Sequence, residues 1–183
     1  VGLVHEATRG QIAKQEQQQL LSILHSIIKP ESLNNDMYQD CLTVIDPLLG
    51  NLTEHTVYLA KFDQQPIAAA ITTTAPDGYN GNIELIVAIN IDNSISGVRA
   101  LKHQETPGLG DKIEIRKSTW ITSFTGKKVA NEDDEQWQVN KDGGMFDQFT
   151  GATITPRAVV KAVKKTANVD GCRNIKKVSE LLR

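Results

Sequence analysis

The run Asp147-Gln148-Phe149-Thr150-Gly151-Ala152-Thr153-Ile154-Thr155-Pro156 sets hydroxyls and small residues at the threshold of a helix, an arrangement suited to holding an anion. Thr155 and Pro156 read as N-cap and first helical residue, and Val159, Val160 and Val163 supply the apolar stripe that follows. The first N–H groups of a helix lack intrahelical acceptors, and the aligned peptide dipoles leave partial positive charge there. A phosphate near Thr153 would therefore meet real donors, with Gly151 and Ala152 leaving it room. On composition alone the simpler reading of the run is a polar loop closing on a capped helix.

A second block, His103-Gln104-Glu105-Thr106-Pro107-Gly108-Leu109-Gly110-Asp111-Lys112, pairs a histidine with a carboxylate two residues on. At a strand end that spacing points both side chains the same way. The pair could be an acid–base couple, half of a metal site or a polar strand end. No third ligand accompanies it, so no metal site is expected, and without an activated Ser or Cys a hydrolase is the weaker reading and no catalytic residue is assigned. Gly108 and Gly110 serve a turn or a close backbone approach. A threonine hydroxyl is a weak nucleophile, and neither His nor Lys stands beside Thr153, so self-modification is not expected.

Together the two blocks resemble the FMN-binding domains of the G subunit of the Rnf (Rsx) electron-transport complex and of the C subunit of the sodium-pumping NADH:quinone reductase. The family's flavinylation motif, an acidic residue, then Ser/Thr-Gly-Ala-Thr, then Ser/Thr, is matched at Asp147, Thr150, Gly151, Ala152, Thr153 and Thr155. The G-subunit branch fits better, and the resemblance runs from the N-terminal helix to about Lys165. It implies a flavoprotein with FMN joined to Thr153 through a phosphodiester, which also makes it a phosphoprotein. It further implies flavin contacts from His103, Glu105, Thr106, Leu109 and Gly110, with Leu109 against the ring, and a basic position at Lys127 near the cofactor phosphate, where a solvated lysine is the simpler alternative. Tyr79 and Gly81 shape the same crevice or merely a turn.

The same resemblance implies an electron-transfer subunit of a membrane-bound, ion-translocating complex. Its partners are the other subunits of that complex and, during maturation, a magnesium-dependent flavin transferase that uses FAD and releases AMP. A single N-terminal membrane helix is expected ahead of Val1, with the domain on the periplasmic side of the cell inner membrane. The competing class is a non-enzymatic extracytoplasmic binding or assembly domain that recognises a phosphate or carboxylate reversibly at the helix terminus.

The elements that must position these residues follow from periodicity. Ile12, Leu20, Leu21, Leu24, Ile27 and Ile28 recur at helical spacing in a glutamine-rich segment, which predicts an amphipathic helix from Thr8 to Ile28, ending before Lys29-Pro30. The stretches 56–62, 67–74, 83–91 and 95–101 are rich in Val, Ile and Thr and separated by turn signals, which predicts antiparallel hairpins. Residues 83–91 are apolar enough to lie centrally, covered on both faces. Ile113, Trp120, Ile121 and Phe124 share a helical face, which predicts a helix over 111–124 with Trp120 in the core, and 137–139 reads as a short strand.

The expected fold is therefore α+β, a twisted, mainly antiparallel sheet flanked by helices, with residues 1–30 as an N-terminal helix and 31–183 as the FMN-binding domain. The chain has 183 residues, enough for one core, and a formal net charge of -2, which argues against a nucleic-acid partner. The C-terminal segment is locally basic, from Arg157 through Lys161, Lys164, Lys165, Arg173, Lys176 and Lys177 to Arg183; a solvated helix face or a docking surface accounts for it. Cys41 and Cys172 could form one disulfide or remain two separate thiols.

Overall fold

The computed structural model describes residues 2–181. Strands β1 (Cys41–Val44), β2 (His55–Phe62), β3 (Gln65–Gly78), β4 (Gly81–Asn90) and β5 (Ile95–Lys102) form one antiparallel sheet in the order β1-β2-β3-β4-β5. Every strand pairs with its neighbour in sequence. Four helices flank the sheet: α1 (Gly2–Ile27), α2 (Ile154–Ala167), α3 (Asp170–Arg173) and α4 (Ile175–Leu181). The expected α+β class and the hairpins are observed, with β2 to β5 each within a few residues of its predicted span.

The sheet has two covered faces because alternate residues of β2, β3 and β4 are apolar on both sides. Leu59, Ile71, Leu85, Val87 and Ile89 face a core completed by Ala158, Val159 and Val163 of α2. On the reverse face Ala60, Ala68, Ala70, Ile86 and Ala88 meet Leu24 and Ile27 of α1. Small side chains on that second face let α1 come close. The limit is reached at Gly97, where a Cβ would lie 2.8 Å from Ile27 Cγ2 and 2.9 Å from its Cβ. Cys172 belongs to the first core and Cys41 packs against the second, so the sheet separates two free thiols. Burial raises the Cys172 thiol pKa, which keeps it protonated.

Helix α1 is longer than periodicity predicted, and among its described side chains those buried, Leu24 and Ile27, lie in its last turns; Ile12, expected in the apolar stripe, is 53% exposed. No helix among the described residues is long and apolar enough to cross a membrane.

Three other expectations are corrected. Residues 111–124 do not form one helix but two short 3-10 segments, Gly110–Ile113 and Trp120–Phe124. Crowding by β-branched Ile113, Ile115, Thr119, Ile121 and Thr122 disfavours continuous helix, and Ser118 Oγ accepts from Trp120 N–H at 3.2 Å, restarting the chain there. Trp120 is only partly buried and packs edge-on against Phe124 and Phe149. Residues 137–139 contribute only a single bridge, Val139 to Phe146, rather than a strand. Strand β1, four residues long, was not foreseen at all.

Candidate cofactor cleft

The β3–β4 hairpin is what reaches the site. The predicted stretches stop at residue 74 and resume at 83, yet β3 continues through a bulge to Gly78, which pairs with Gly81. Only Tyr79 and Asn80 remain to turn, and Gly81 takes φ 108°, a conformation glycine adopts without strain. This tip meets the loop that leaves β5, and the N-terminus of α2 rises beside both. Between them lies a cleft of about 300 Å³ lined by Tyr79, Glu105, Thr106, Leu109, Gly110 and residues 151–155.

One buried carboxylate fastens these three segments. Glu105, 5% exposed, accepts from the Tyr79 and Asn80 amides at 3.3 and 3.1 Å and from the hydroxyl of Thr155. Asn80 Nδ2 also donates to Thr106 Oγ1 at 3.1 Å. A buried charge requires such partners, because leaving even one lone pair unmet in low dielectric is costly. Gly110 permits the closeness: a Cβ there would lie 2.8 Å from Thr155 Oγ1 and 2.9 Å from Glu105 Cβ.

The helix begins two residues earlier than sequence suggested. Thr153, not Thr155, is the flanking residue, and Pro156 is the third helical residue rather than the first. A long-range contact accompanies the shift: the Thr155 hydroxyl donates to Glu105, which fixes its rotamer and holds the residue inside the first turn. Thr153 itself makes no side-chain cap bond and stands half-buried in the cleft wall. The first intrahelical bond runs from Arg157 N–H to Thr153 O at 3.2 Å. Among the described residues the amides of Thr153, Ile154 and Thr155 have no protein acceptor. A free hydroxyl and three free donors thus share one end of the cleft, as helix geometry dictates.

The rest of the rim is apolar and exposed. Tyr79, Leu109 and Ile154 are 65%, 41% and 44% exposed, large side chains that a flat ligand would cover. Gly151, at φ 79°, turns the chain so that its Cα side faces Leu109 Cδ2, 3.6 Å from where a Cβ would stand.

Of the residues singled out from sequence, the fold brings Glu105, Thr106, Leu109, Gly110, Gly151, Ala152 and Thr153 into this cleft. Three lie elsewhere. Thr150 is exposed outside the lining. His103 faces a different groove, between α1 and residues 114–116. Its Nδ1 accepts from Glu105 N–H at 3.1 Å, which leaves the proton on Nε2 to be donated to Glu114 Oε1 at 2.8 Å. Strand β5 ends at Lys102, so the strand parity that would align His103 with Glu105 does not apply. Glu114 is held below the usual carboxylate range chiefly by its bond from Arg116, helped by His103. Lys127 donates to Ser123 O at 2.6 Å and lies over the Phe146 ring. Tyr79, expected at a crevice or a turn, serves both; Ile154 and Thr155 were missed as lining residues, although Thr155 belongs to the quoted motif. Among the described residues no cluster of His, Cys, Asp and Glu could hold a metal ion.

Known proteins share this region. Residues 78–168, which contain every lining residue, match the FMN-binding domain family. The chain is 52% identical over 165 residues to the G subunit of the ion-translocating oxidoreductase complex of Yersinia pestis, a match covering 90% of this chain and 79% of that protein. It is 53% identical over 166 residues to the counterpart from Shewanella oneidensis, covering 90% and 78%. The counterpart from Aliivibrio fischeri is 52% identical over 166 residues, covering 90% and 79%.

Proposed function

We propose a function that proceeds from one premise: the chain belongs to the family of G subunits of ion-translocating oxidoreductase complexes. In this reading the domain is an electron-carrying subunit whose FMN is esterified through its phosphate to Thr153. The observation that carries it is the uncapped Thr153 hydroxyl beside three unpaired amides at one end of a cleft with an apolar rim.

The residues fit the cofactor. The amides of Thr153, Ile154 and Thr155 would meet a phosphate, and Gly151 and Ala152 give it space. Leu109, Ile154 and Tyr79 would cover a flat ring. The Thr106 hydroxyl, which accepts from Asn80 Nδ2 at 3.1 Å, keeps its own proton to donate to a polar atom in the cleft. When bound, FMN supplies reversible acceptance and release of electrons. The protein orients it and sets its electrostatics, with the Glu105 carboxylate as the nearest buried charge.

A tether answers an energetic deficit. Holding a ligand at nanomolar affinity takes about 12 kcal/mol, whereas charge at a helix terminus contributes only about 0.3–1 kcal/mol, or ~2 if partly buried. A cleft that leaves the ring accessible cannot also bury it fully. A phosphodiester removes dissociation from the problem.

The linkage is supplied by a flavin transferase acting on FAD. Electrons then pass between this domain and the other subunits of the Rnf-type complex. The domain sits on the periplasmic side of the inner membrane, with α1 continuing from a membrane helix that precedes residues 1–30, and residues 31–183 forming the cofactor domain.

The test is intact-mass and fluorescence measurement on chain produced together with the transferase. Wild-type protein is expected to carry the FMN phosphodiester and to remain fluorescent after denaturation; Thr153→Ala is expected to lose both and stay folded. A domain that merely binds phosphate or carboxylate reversibly at the same amides would give an unmodified chain.

A further inference from the structure

We infer that Pro156 is a positioning residue: by withholding a backbone N–H from the third helical position of α2, it keeps the Thr153 hydroxyl from being consumed as a helix cap. The inference rests on the proposed modification of Thr153 and says what makes that hydroxyl available.

A threonine flanking a helix ordinarily accepts, through Oγ1, a bond from the N–H of the second or third helical residue. Here those residues are Thr155 and Pro156. Proline has no N–H to offer. A Thr-x-x-Glu run would form a reciprocal capping box, and Thr153-Ile154-Thr155-Pro156 replaces its essential donor with a blank. The substitution costs the helix little else, since the amide at that position has no intrahelical acceptor in any case.

The remaining donor is also kept out of use. Thr153 rests at φ -78° and ψ -29°, so capping requires its backbone to open toward the extended region, and with proline at position 156 only the Thr155 amide could reward that change. The turn is pinned from beneath, where the buried Thr155 hydroxyl donates to Glu105. Gly151 in the left-handed region and the bond from Ala152 N–H to Phe149 O, 3.2 Å, fix the approach from the other side. The result is a half-buried threonine in a cleft wall whose hydroxyl is pledged to no amide.

That freedom matters for the transfer step. Thr153 Oγ1 forms a bond to the phosphorus of the FMN half of FAD, and the pyrophosphate bond to the AMP half breaks. AMP leaves with the bridging oxygen, and the hydroxyl proton passes to a base of the transferase. No electrons are exchanged with an outside reagent. A hydroxyl already accepting from an amide has one lone pair occupied and its rotamer fixed, so it must first be released.

The experiment is Pro156→Ala, which restores the donor in a conformation alanine adopts freely. Single-turnover flavinylation by the transferase with FAD is expected to slow roughly fivefold, the population shift equivalent to about 1 kcal/mol for one cap. The transferase's KM for the chain stays unchanged, thermal stability is equal or higher, and the new amide at position 156 is protected from hydrogen exchange. An unchanged rate overturns the inference, as does a slower rate with a freely exchanging amide at that position. Wild-type chain that gains no flavin at Thr153 removes the underlying reading instead, and the wild-type control shows that independently of the variant.

Discussion

Gly110→Ala tests the closeness on which the cleft depends. The added Cβ would stand 2.8 Å from Thr155 Oγ1, 2.9 Å from Glu105 Cβ and 3.0 Å from Glu105 Oε2. Neither neighbour can swing away cheaply, since Thr155 is 1% and Glu105 5% exposed and they are hydrogen-bonded to each other. Overpacking of this kind costs about 1–3 kcal/mol. Gly110 lies outside the left-handed region, so alanine would by itself gain roughly 0.4–1 kcal/mol from a less flexible unfolded chain. The net expectation is a loss of about 1–2 kcal/mol, or about 2 to 8 °C in melting temperature for a domain of this size. Urea denaturation at constant m-value measures it. Thr155→Ala removes the atom in closest conflict, so the double variant Gly110→Ala/Thr155→Ala should lose less than the sum of the singles by more than ~0.5 kcal/mol. Gly108→Ala, strained by φ 80° but meeting nothing within 4 Å, should instead add to Thr155→Ala without coupling. A neutral Gly110→Ala, or strict additivity with Thr155→Ala, would refute the reasoning.

Gly97→Ala should detach the packed end of α1, because its Cβ would fall 2.8 Å from Ile27 Cγ2; we expect a loss of about 1–3 kcal/mol, partly recovered by Ile27→Ala and read as a shift in urea midpoint. Burial lowers the pKa of His55, 4% exposed and bonded to Asn51 Oδ1 at 2.8 Å, and nearby Glu84 only partly opposes the shift. As pH falls below 6.5 the unfolded chain takes up that proton first, so stability is full above 6.5 and declines below it; His55→Gln should flatten this part of the stability–pH curve, and an unchanged curve would count against it.

Local chemistry predicted well wherever neighbours in sequence are neighbours in space. The strands alternate visibly, and β4 was recognisable as central because both of its faces are apolar, Leu85, Val87 and Ile89 on one and Ile86 and Ala88 on the other. The two chemical blocks could each be seen, and the fold brings most of their residues to one cleft. What could not be read were decisions made across the chain. Thr155 has every local mark of a cap, yet its hydroxyl is held by a carboxylate fifty positions upstream and Thr153 takes the flanking place. His103 and Glu105 look like a pair until the chain leaves β5 at Lys102 and turns one toward Glu114 and the other toward α2. The helical periodicity of 111–124 was real as packing, since Ile113, Ile121 and Phe124 are buried, but two separate turns meet it as well as one helix does.

A sheet whose spatial order repeats its sequence order also prescribes a timetable. Each hairpin can zip onto the last as the polypeptide emerges, with no distant crossover to await, and the short loops keep closure entropy small. Helix α2 arrives only afterwards, docking on strands already in place. If the proposed modification of Thr153 is made by an enzyme that reads the finished cleft, that enzyme meets its threonine only on molecules that have completed folding, and immature copies stay colourless.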